Sequence, residues 1–481
     1  MKYILGIDQS TQGTKAILFD AEGNLVKRAD VSHRQIVNAQ GWVSHDPEEI
    51  YRNTLRAARE VVEAAGILKA EIAAMGISNQ RETTVLWNKE GKALADAVVW
   101  QCSRAAYIAK RMEDRAGDIY EKTGLPLSPY FPACKMSWLT EHTGTEPAPY
   151  FGTVDSWLLY RLTGGRAYKT DYSNASRTQL MNLHTLQWDP ELCRWFGISE
   201  KSLPQICDSN SCFGYTDLEG FLEQEIPILA VLGDSHGALF GQGCHEKGMV
   251  KTTYGTGSSI MMNIGENYVQ SKAGLATSLA WGIDGRVNYV LEGNINYTGA
   301  VVTWLKEDMK LIDSAEETEA LAYSANPADT SILVPAFTGL SAPYWKGDAK
   351  AFLWGMTRTT GRAEVVKAAL DSIGYQITAV LKAMEQDSGE RIRELRADGG
   401  PARNAYLMQF QSSLADLTVY AAEREELSAM GAAYLAGITA GLYDKKELFA
   451  KMKYRKFEPA MSAEERAGKQ RRWEAAVKLV L

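Results

Sequence analysis

The 481-residue chain contains no uninterrupted apolar run near the roughly 20 residues that span a bilayer as a helix, so no membrane-spanning helix is expected. It has no excess of basic residues. Lys and Arg total 52 against 59 Asp and Glu, leaving a formal net charge of −7. That balance argues against coating nucleic acid or docking on an anionic membrane. It does not exclude a phosphate ligand, because a few backbone N–H groups and one metal ion hold a phosphate locally. The six cysteines (Cys102, Cys134, Cys193, Cys207, Cys212, Cys244) are scattered and form no C-x-x-C pair, which argues against a disulfide framework or a structural zinc site. Low-complexity tracts, short-period repeats and a Pro/Ser-rich linker are also lacking. A strand pattern begins at Tyr3 with no leader before it, so the expected location is cytoplasmic.

What is present is an ordinary globular composition, 45% hydrophobic and 23% charged. The length accommodates two to four domains. Tyr3–Asp8, Thr14–Phe19 and Leu25–Arg28 read as strands separated by turns. Asp46 and Pro47 begin a helix with Glu48 and Glu49 in its first turn. An apolar stripe at Tyr51, Leu55, Ala58, Val62 and Ala65 runs to a stop at Gly66. Strands at Ile72–Ser78 and Thr84–Trp87 continue an alternation that indicates α/β architecture. The opening pattern recurs once, as strand, small-residue turn and strand over 250–262, then strand at Val287–Leu291 and helix at Gly299–Met309. Two comparably built halves are expected, 1–245 and 246–481, with a helical tail over Ser462–Leu481.

Five segments carry candidate chemistry. The turn Asp8-Gln9-Ser10-Thr11-Gln12-Gly13-Thr14-Lys15 is either an ordinary polar hairpin or a phosphate cradle, with Asp8 able to hold Mg²⁺ through water and Lys15 to offset phosphate charge. Tyr254-Gly255-Thr256-Gly257 is a second such turn, and the pair is more telling than either alone. In Asp398-Gly399-Gly400-Pro401-Ala402-Arg403-Asn404, glycines admit a ligand to the backbone ahead of a helix N-terminus. Arg81 and Glu82 at a strand end suit hydroxyl recognition or a plain ion pair, with Trp100, Tyr130 and Phe131 as core aromatics or a pocket wall. Asp234, at the boundary between the halves, is a helix cap or a proton acceptor for a phosphoryl-transfer reaction. His236 beside it reads as structural.

Paired hairpins at the starts of two similar halves resemble the ribonuclease-H-like fold of the actin/hexokinase/Hsp70 ATPases, two domains flanking a catalytic cleft. Longer runs are more specific. Gly41-Trp42-Val43, Ser78-Asn79-Gln80-Arg81-Glu82-Thr83-Thr84, Val99-Trp100-Gln101-Cys102, Asp171-Tyr172-Ser173-Asn174-Ala175-Ser176-Arg177, Ala342-Pro343-Tyr344-Trp345 and Met430-Gly431-Ala432-Ala433-Tyr434 resemble the FGGY carbohydrate kinases from Tyr3 to about Gly441. Within that family the motifs are nearest to the glycerol kinases. The resemblance implies ATP and Mg²⁺ as cofactors, a small polyol or sugar as substrate, and a homo-oligomer (dimer or tetramer). It implies Asp234 as general base, and Arg81, Glu82, Trp100 and Tyr130 around the acceptor. Thr11, Gln12, Lys15, Thr256, Gly299, Gly400 and Asn404 fall at nucleotide positions, Thr303 at that of a nucleotide-contacting glutamine, and Asp8 at the metal.

Some positions depart from the glycerol-kinase pattern. Lys15 replaces an arginine, keeping the charge without the planar fork. Ser235 replaces a glutamine and Ser259 a phenylalanine that line the glycerol pocket. Both changes remove bulk, so the expected acceptor is a four- or five-carbon polyol or ketose. Glycerol itself is the alternative, and a non-catalytic actin/Hsp70-like ATPase is a remote one. Where some relatives carry a glycine-rich loop for fructose 1,6-bisphosphate, residues Thr216-Asp217-Leu218-Glu219-Gly220-Phe221-Leu222-Glu223 are acidic with a single glycine. The histidine phosphorylated in some Gram-positive relatives is absent too. Neither control is expected to operate.

Overall fold

The computed structural model describes residues 2–143 and 149–481. Two mixed sheets organise it. The first joins β1 (Tyr3–Gln9), β2 (Gly13–Phe19), β3 (Leu25–Ser32), β4 (Ile72–Asn79), β5 (Gly214–Thr216) and β6 (Ile226–Gly233) in the order β5-β6-β4-β1-β2-β3. The second contains β7 (Met249–Tyr254), β8 (Ser258–Gly265), β9 (Ala276–Ile283), β10 (Arg286–Ile295), β11 (Glu394–Asp398), β12 (Thr418–Ala422) and β13 (Tyr454–Phe457), in the order β9-β10-β8-β7-β11-β12-β13. Each sheet is built the same way. An antiparallel meander (β1–β2–β3; β7–β8–β10) is joined through its first strand to two parallel strands (β4 and β6; β11 and β12). The recurrence expected from the turn patterns is present.

Local chemistry explains where α1 (Pro47–Ala65) begins and ends. Asp46 accepts the Glu48 N–H at 2.8 Å, Pro47 occupies the first turn, and Gly66 closes the helix with φ 65°. Tyr51, Leu55, Ala58 and Val62 are buried against the first sheet, and Ile50, Ala57 and Val61 widen the stripe. Each fully buried aliphatic side chain contributes about 1.5–3 kcal/mol of transfer free energy.

Further helices are α2 (Pro132–Thr143), α3 (Asp234–Gly241), α4 (Gly299–Glu307), α5 (Arg362–Ser388), α6 (Ala405–Ala415), α7 (Leu427–Thr439) and α8 (Ala463–Lys478). One core lies between the first sheet and α1, and another between the second sheet and α5. A third belongs to both halves. It gathers Ile4, Phe19, Ala74 and Leu232 of the first sheet, Leu239 and Phe240 of α3, Met261 and Val290 of the second sheet, and Met430 and Tyr434 of α7. The tail helix α8 is anchored by Trp473, which stacks on Tyr375 and donates to the Tyr344 hydroxyl at 2.9 Å. Among the described residues, no helix is long and apolar enough to cross a membrane.

The acidic loop at 216–223 is tied to its surroundings. Arg59 donates to the Leu218 carbonyl at 2.7 Å, Tyr51 to Glu219 at 2.9 Å, and Lys69 to the Phe221 carbonyl at 2.7 Å, with Lys69 also over the Phe221 ring. The cations nearest the loop are thus engaged, and its own charge repels an anion. Millimolar fructose 1,6-bisphosphate is expected to leave the rate at saturating acceptor unchanged. A coupled ADP-release assay checks this, and inhibition would refute it.

Candidate active site

Strand register assembles the first half of the site. Asp8 of β1 pairs with Ser78 of β4, and Gly233 of β6 pairs with Asn79. Asp8, the segment Gln80–Glu82 and Asp234 therefore emerge together at the carboxyl ends of three parallel strands, where open α/β sheets bind their ligands. The backbone there is strained. Thr83 N–H bonds back to the Arg81 carbonyl at 2.7 Å, closing a three-residue turn around Glu82, whose φ is 61°.

Arg81 is the centre of the constellation. Its Nε donates to Asp234 Oδ1 at 3.0 Å, and both terminal nitrogens donate to Glu292 at 3.0 Å. Burial alone would weaken its charge, but Glu292, Glu82 and Asp234 hold its pKa well above the usual value. Asp234 begins α3, and its Oδ1 also takes the Ser235 N–H at 2.6 Å. Among the described residues, Oδ2 accepts no hydrogen bond and remains available to a proton. Glu82 is buried and accepts from Arg177 Nε at 2.7 Å.

The aromatic residues form a wall. Trp100 lies edge-on to Tyr130 with ring centres 5.6 Å apart, and its indole N–H donates to Thr11 Oγ1 at 2.9 Å. That bond ties the wall to the first turn. The Tyr130 hydroxyl has no partner among the described residues, and burial pushes its pKa up, so it stays a donor. Behind it, Lys135 is wholly buried and donates to the Tyr130 carbonyl; burial pushes its pKa down to about 7 against the pull of Glu82.

The first turn lines a cavity of about 370 Å³ that includes Ser10, Thr11, Gln12, Lys15 and Asp234. Asp8 lies beside it, buried, with one side-chain hydrogen bond from Ser78 at 3.0 Å. Burial pushes its carboxyl up to about 7; Lys15 opposes the rise and Asp234 adds to it. The Lys15 ammonium is paired with Glu426 at 2.7 Å, and Glu426 also takes Arg28 at 2.6 Å. Sequence reasoning did not anticipate that partner.

In the second half, the turn Gly255–Gly257 closes through Gly255 N–H to the Gly257 carbonyl at 2.8 Å. The N–H groups of Thr298, Gly299 and Ala300 then bond to carbonyls of the same turn. Thr256 and Gly299 are thereby brought together. Gly399 joins them, with φ 94° and so little room that a Cβ would fall 2.0 Å from the Tyr254 carbonyl oxygen. Only glycine fits there. Gly400 is exposed and open. Asn404 caps α6 through Leu407 N–H at 2.9 Å and donates to Thr318 at 3.0 Å, so both ends of its amide are engaged. Thr303 is exposed and turns its hydroxyl onto the Gly299 carbonyl of its own helix.

Ser235 and Ser259 meet where the halves join. Their hydroxyls are 3.5 Å apart, Ser259 lies 3.3 Å from Glu292, and Arg81 reaches Ser235 at 3.3 Å. His236 is buried next to them, and desolvation followed by the Arg81 charge pushes its pKa far down. It is a neutral ring packed under the site. Sequence reasoning assigned no role to Glu292 or Arg177. Arg177 stands in one of the family-like runs, whereas nothing local singles out Glu292.

Comparison with known proteins agrees with this architecture. The model for the FGGY family of carbohydrate kinases, N-terminal domain, matches residues 3–241, and that for the C-terminal domain matches 250–440. Glycerol kinase 1 of Thermotoga maritima is 47% identical over 490 residues, covering 100% of this chain and 99% of that one. A glycerol kinase of Alkaliphilus oremlandii is 45% identical, covering 100% and 97%. The crystal structure of Plasmodium falciparum glycerol kinase with ADP superposes with a TM-score of 0.94 at 34% identity, covering 100% of this chain and 98% of that one. A ligand-bound xylulose kinase from Lactobacillus acidophilus, 21% identical with a TM-score of 0.90 over 100% and 98%, shares the fold. The chain belongs to the FGGY family of carbohydrate kinases, ATP-dependent phosphotransferases built on two actin/hexokinase-like α/β domains.

Proposed function

We propose that the protein is a glycerol kinase, transferring the γ-phosphoryl group of ATP to a terminal hydroxyl of glycerol. The observation that carries this reading is the Asp234 carboxylate. Arg81 and the Ser235 amide fix its rotation through Oδ1, while Oδ2 has no hydrogen-bond partner among the described residues and Asp234 lines the cavity of the first turn. Asp234 accepts the proton of the attacking hydroxyl. Arg81, Glu82 and Tyr130 orient the acceptor, with Trp100 as its apolar wall. The turns at Thr11–Lys15 and Thr256, together with Gly299, Thr303, Gly400 and Asn404, border the nucleotide. The halves 1–245 and 246–481 act as two domains whose approach excludes water. The glycerol kinases that resemble the chain over its full length support glycerol over the longer acceptor expected from the sequence.

Magnesium fits the residues present. Asp8 offers a hard oxygen ligand, and its carboxyl, pushed up to about 7 mainly by burial, lacks a full set of partners. Asp8 would hold the ion directly or through water, and the ion would supply neutralisation of phosphate charge. A cytoplasmic homo-oligomer, dimer or tetramer, remains part of the proposal.

One observation favours a second reading, a four- or five-carbon polyol or ketose. Two small hydroxyl side chains, Ser235 and Ser259, face each other 3.5 Å apart at the acceptor site, where they add polar partners. Coupled ADP release over glycerol, erythritol, threitol, ribitol, xylulose and ribulose separates the two. The glycerol reading expects the highest kcat/KM for glycerol. A higher value for any longer compound overturns it in favour of the second reading, and no stimulation by any of them overturns both.

A further inference from the structure

Glu292 is fully buried on β10 of the second sheet, yet the two arginines it pairs with both come from the first half. Its carboxylate accepts from Arg81 Nη1 and Nη2 at 3.0 Å each, a two-pronged grip that fixes the plane of the guanidinium. Arg177 Nη1 lies 2.8 Å away, outside the hydrogen-bond direction, as a contact of opposite charges. Arg177 Nε donates to Glu82, and Arg81 Nε to Asp234. Asp234, Arg81, Glu292, Arg177 and Glu82 thus form one chain of alternating charge. Burial would raise the Glu292 carboxyl, but Arg177 and Arg81 hold it well below the usual carboxylate range, so it stays ionised.

The geometry of this chain has a direction. Arg81 points Nε at Asp234 because Glu292 holds its other two nitrogens. Glu82 keeps its strained backbone turn while Arg177 holds its carboxylate, and Arg177 is in turn neutralised by Glu292. We propose that Glu292 is the positioning residue of the acceptor site, setting Arg81 directly and Glu82 through Arg177. It does so from the half that carries the second phosphate turn, so acceptor and nucleotide sites are set against each other by one carboxylate. This rests on the acceptor-site reading above.

Glu292→Gln keeps the shape but loses the charge and one acceptor oxygen. It is expected to lower kcat/KM for the acceptor by at least about tenfold, the effect of losing one hydrogen bond to a charged group. Most of the loss should lie in acceptor KM, with ATP KM unchanged. The double variant Glu292→Gln/Arg177→Met removes the cation left without its partner, and is expected to recover Tm without recovering acceptor KM. Should Glu292→Gln fail to fold, Glu292→Asp, which keeps the charge but withdraws it from Arg81, carries the same KM expectation. An unchanged acceptor KM in the folded single variant, or recovery of KM together with Tm in the double variant, overturns the proposal. Asp234→Asn in the same assay keeps the two readings apart. If it retains turnover, the acceptor-site reading fails; if it is inactive while Glu292→Gln has a normal acceptor KM, only the role of Glu292 fails.

Discussion

Asp234→Asn is expected to lower kcat by about 10²–10⁴-fold, the usual contribution of a positioned general base. Substrate binding should change far less, and the reason is geometric. An asparagine oxygen in place of Oδ1 still accepts from Arg81 Nε and the Ser235 N–H, now at 3.0 and 2.6 Å. Arg81 also keeps its grip on Glu292, so the residues proposed to orient the acceptor stay in place. Only the Oδ2 position changes, from a proton acceptor to an amide that takes none. Steady-state kcat combined with single-turnover measurements separates loss of chemistry from slowed product release. Near-normal single-turnover rates in the variant would remove Asp234 from the role. Glu82 does not stand in for it, since its carboxylate is buried against Arg177.

How much of this was legible in the sequence depended on range. Helix α1 was readable because its ends carry their own chemistry, with Asp46 and Pro47 at the start and Gly66 at the stop. The two small-residue turns were readable as turns for the same reason, since each lies between strand patterns, while their use in holding phosphate belongs to the proposed function. Strand β3 was expected to end at Arg28 and runs to Ser32, because pairing with β2 carries it through an exposed, polar stretch. Glu292 lies just past the strand expected at Val287–Leu291, and nothing near it says that its carboxylate meets an arginine 211 residues away. The Lys15 charge suggested phosphate, but its present partner is Glu426, remote in sequence. Helix α7 forms over Met430-Gly431-Ala432-Ala433-Tyr434, which in the sequence carried only a resemblance to the family. Its placement on the first sheet, although it follows the strands of the second, is set only by tertiary packing.

That placement exposes the fold to a single methyl group. Helices α3 and α7 cross with their backbones in contact, and a Cβ on Gly431 would fall 1.9 Å from the Gly237 carbonyl oxygen and 2.9 Å from the Gly241 nitrogen. Neither atom belongs to a side chain that can rotate away, so in Gly431→Ala the helices must part by about 1 Å at the crossing. Overpacking of this kind costs about 1–3 kcal/mol and should appear as a lower Tm. The functional effect should be larger. Helix α3 begins at Asp234, so the same displacement moves the proposed proton acceptor relative to Arg81, and a misplacement of about 1 Å costs on the order of 10²-fold in rate. Gly468→Ala is the contrast. It lies within α8, where an added Cβ meets nothing within 4 Å, and alanine there is expected to stabilise by about 0.5–1 kcal/mol with activity unchanged. The same substitution thus has opposite signs at two helical glycines, decided by what the methyl group meets. Wild-type Tm and kcat/KM in Gly431→Ala would show that the helix crossing does not position Asp234, leaving Arg81 and Glu292 to hold it alone.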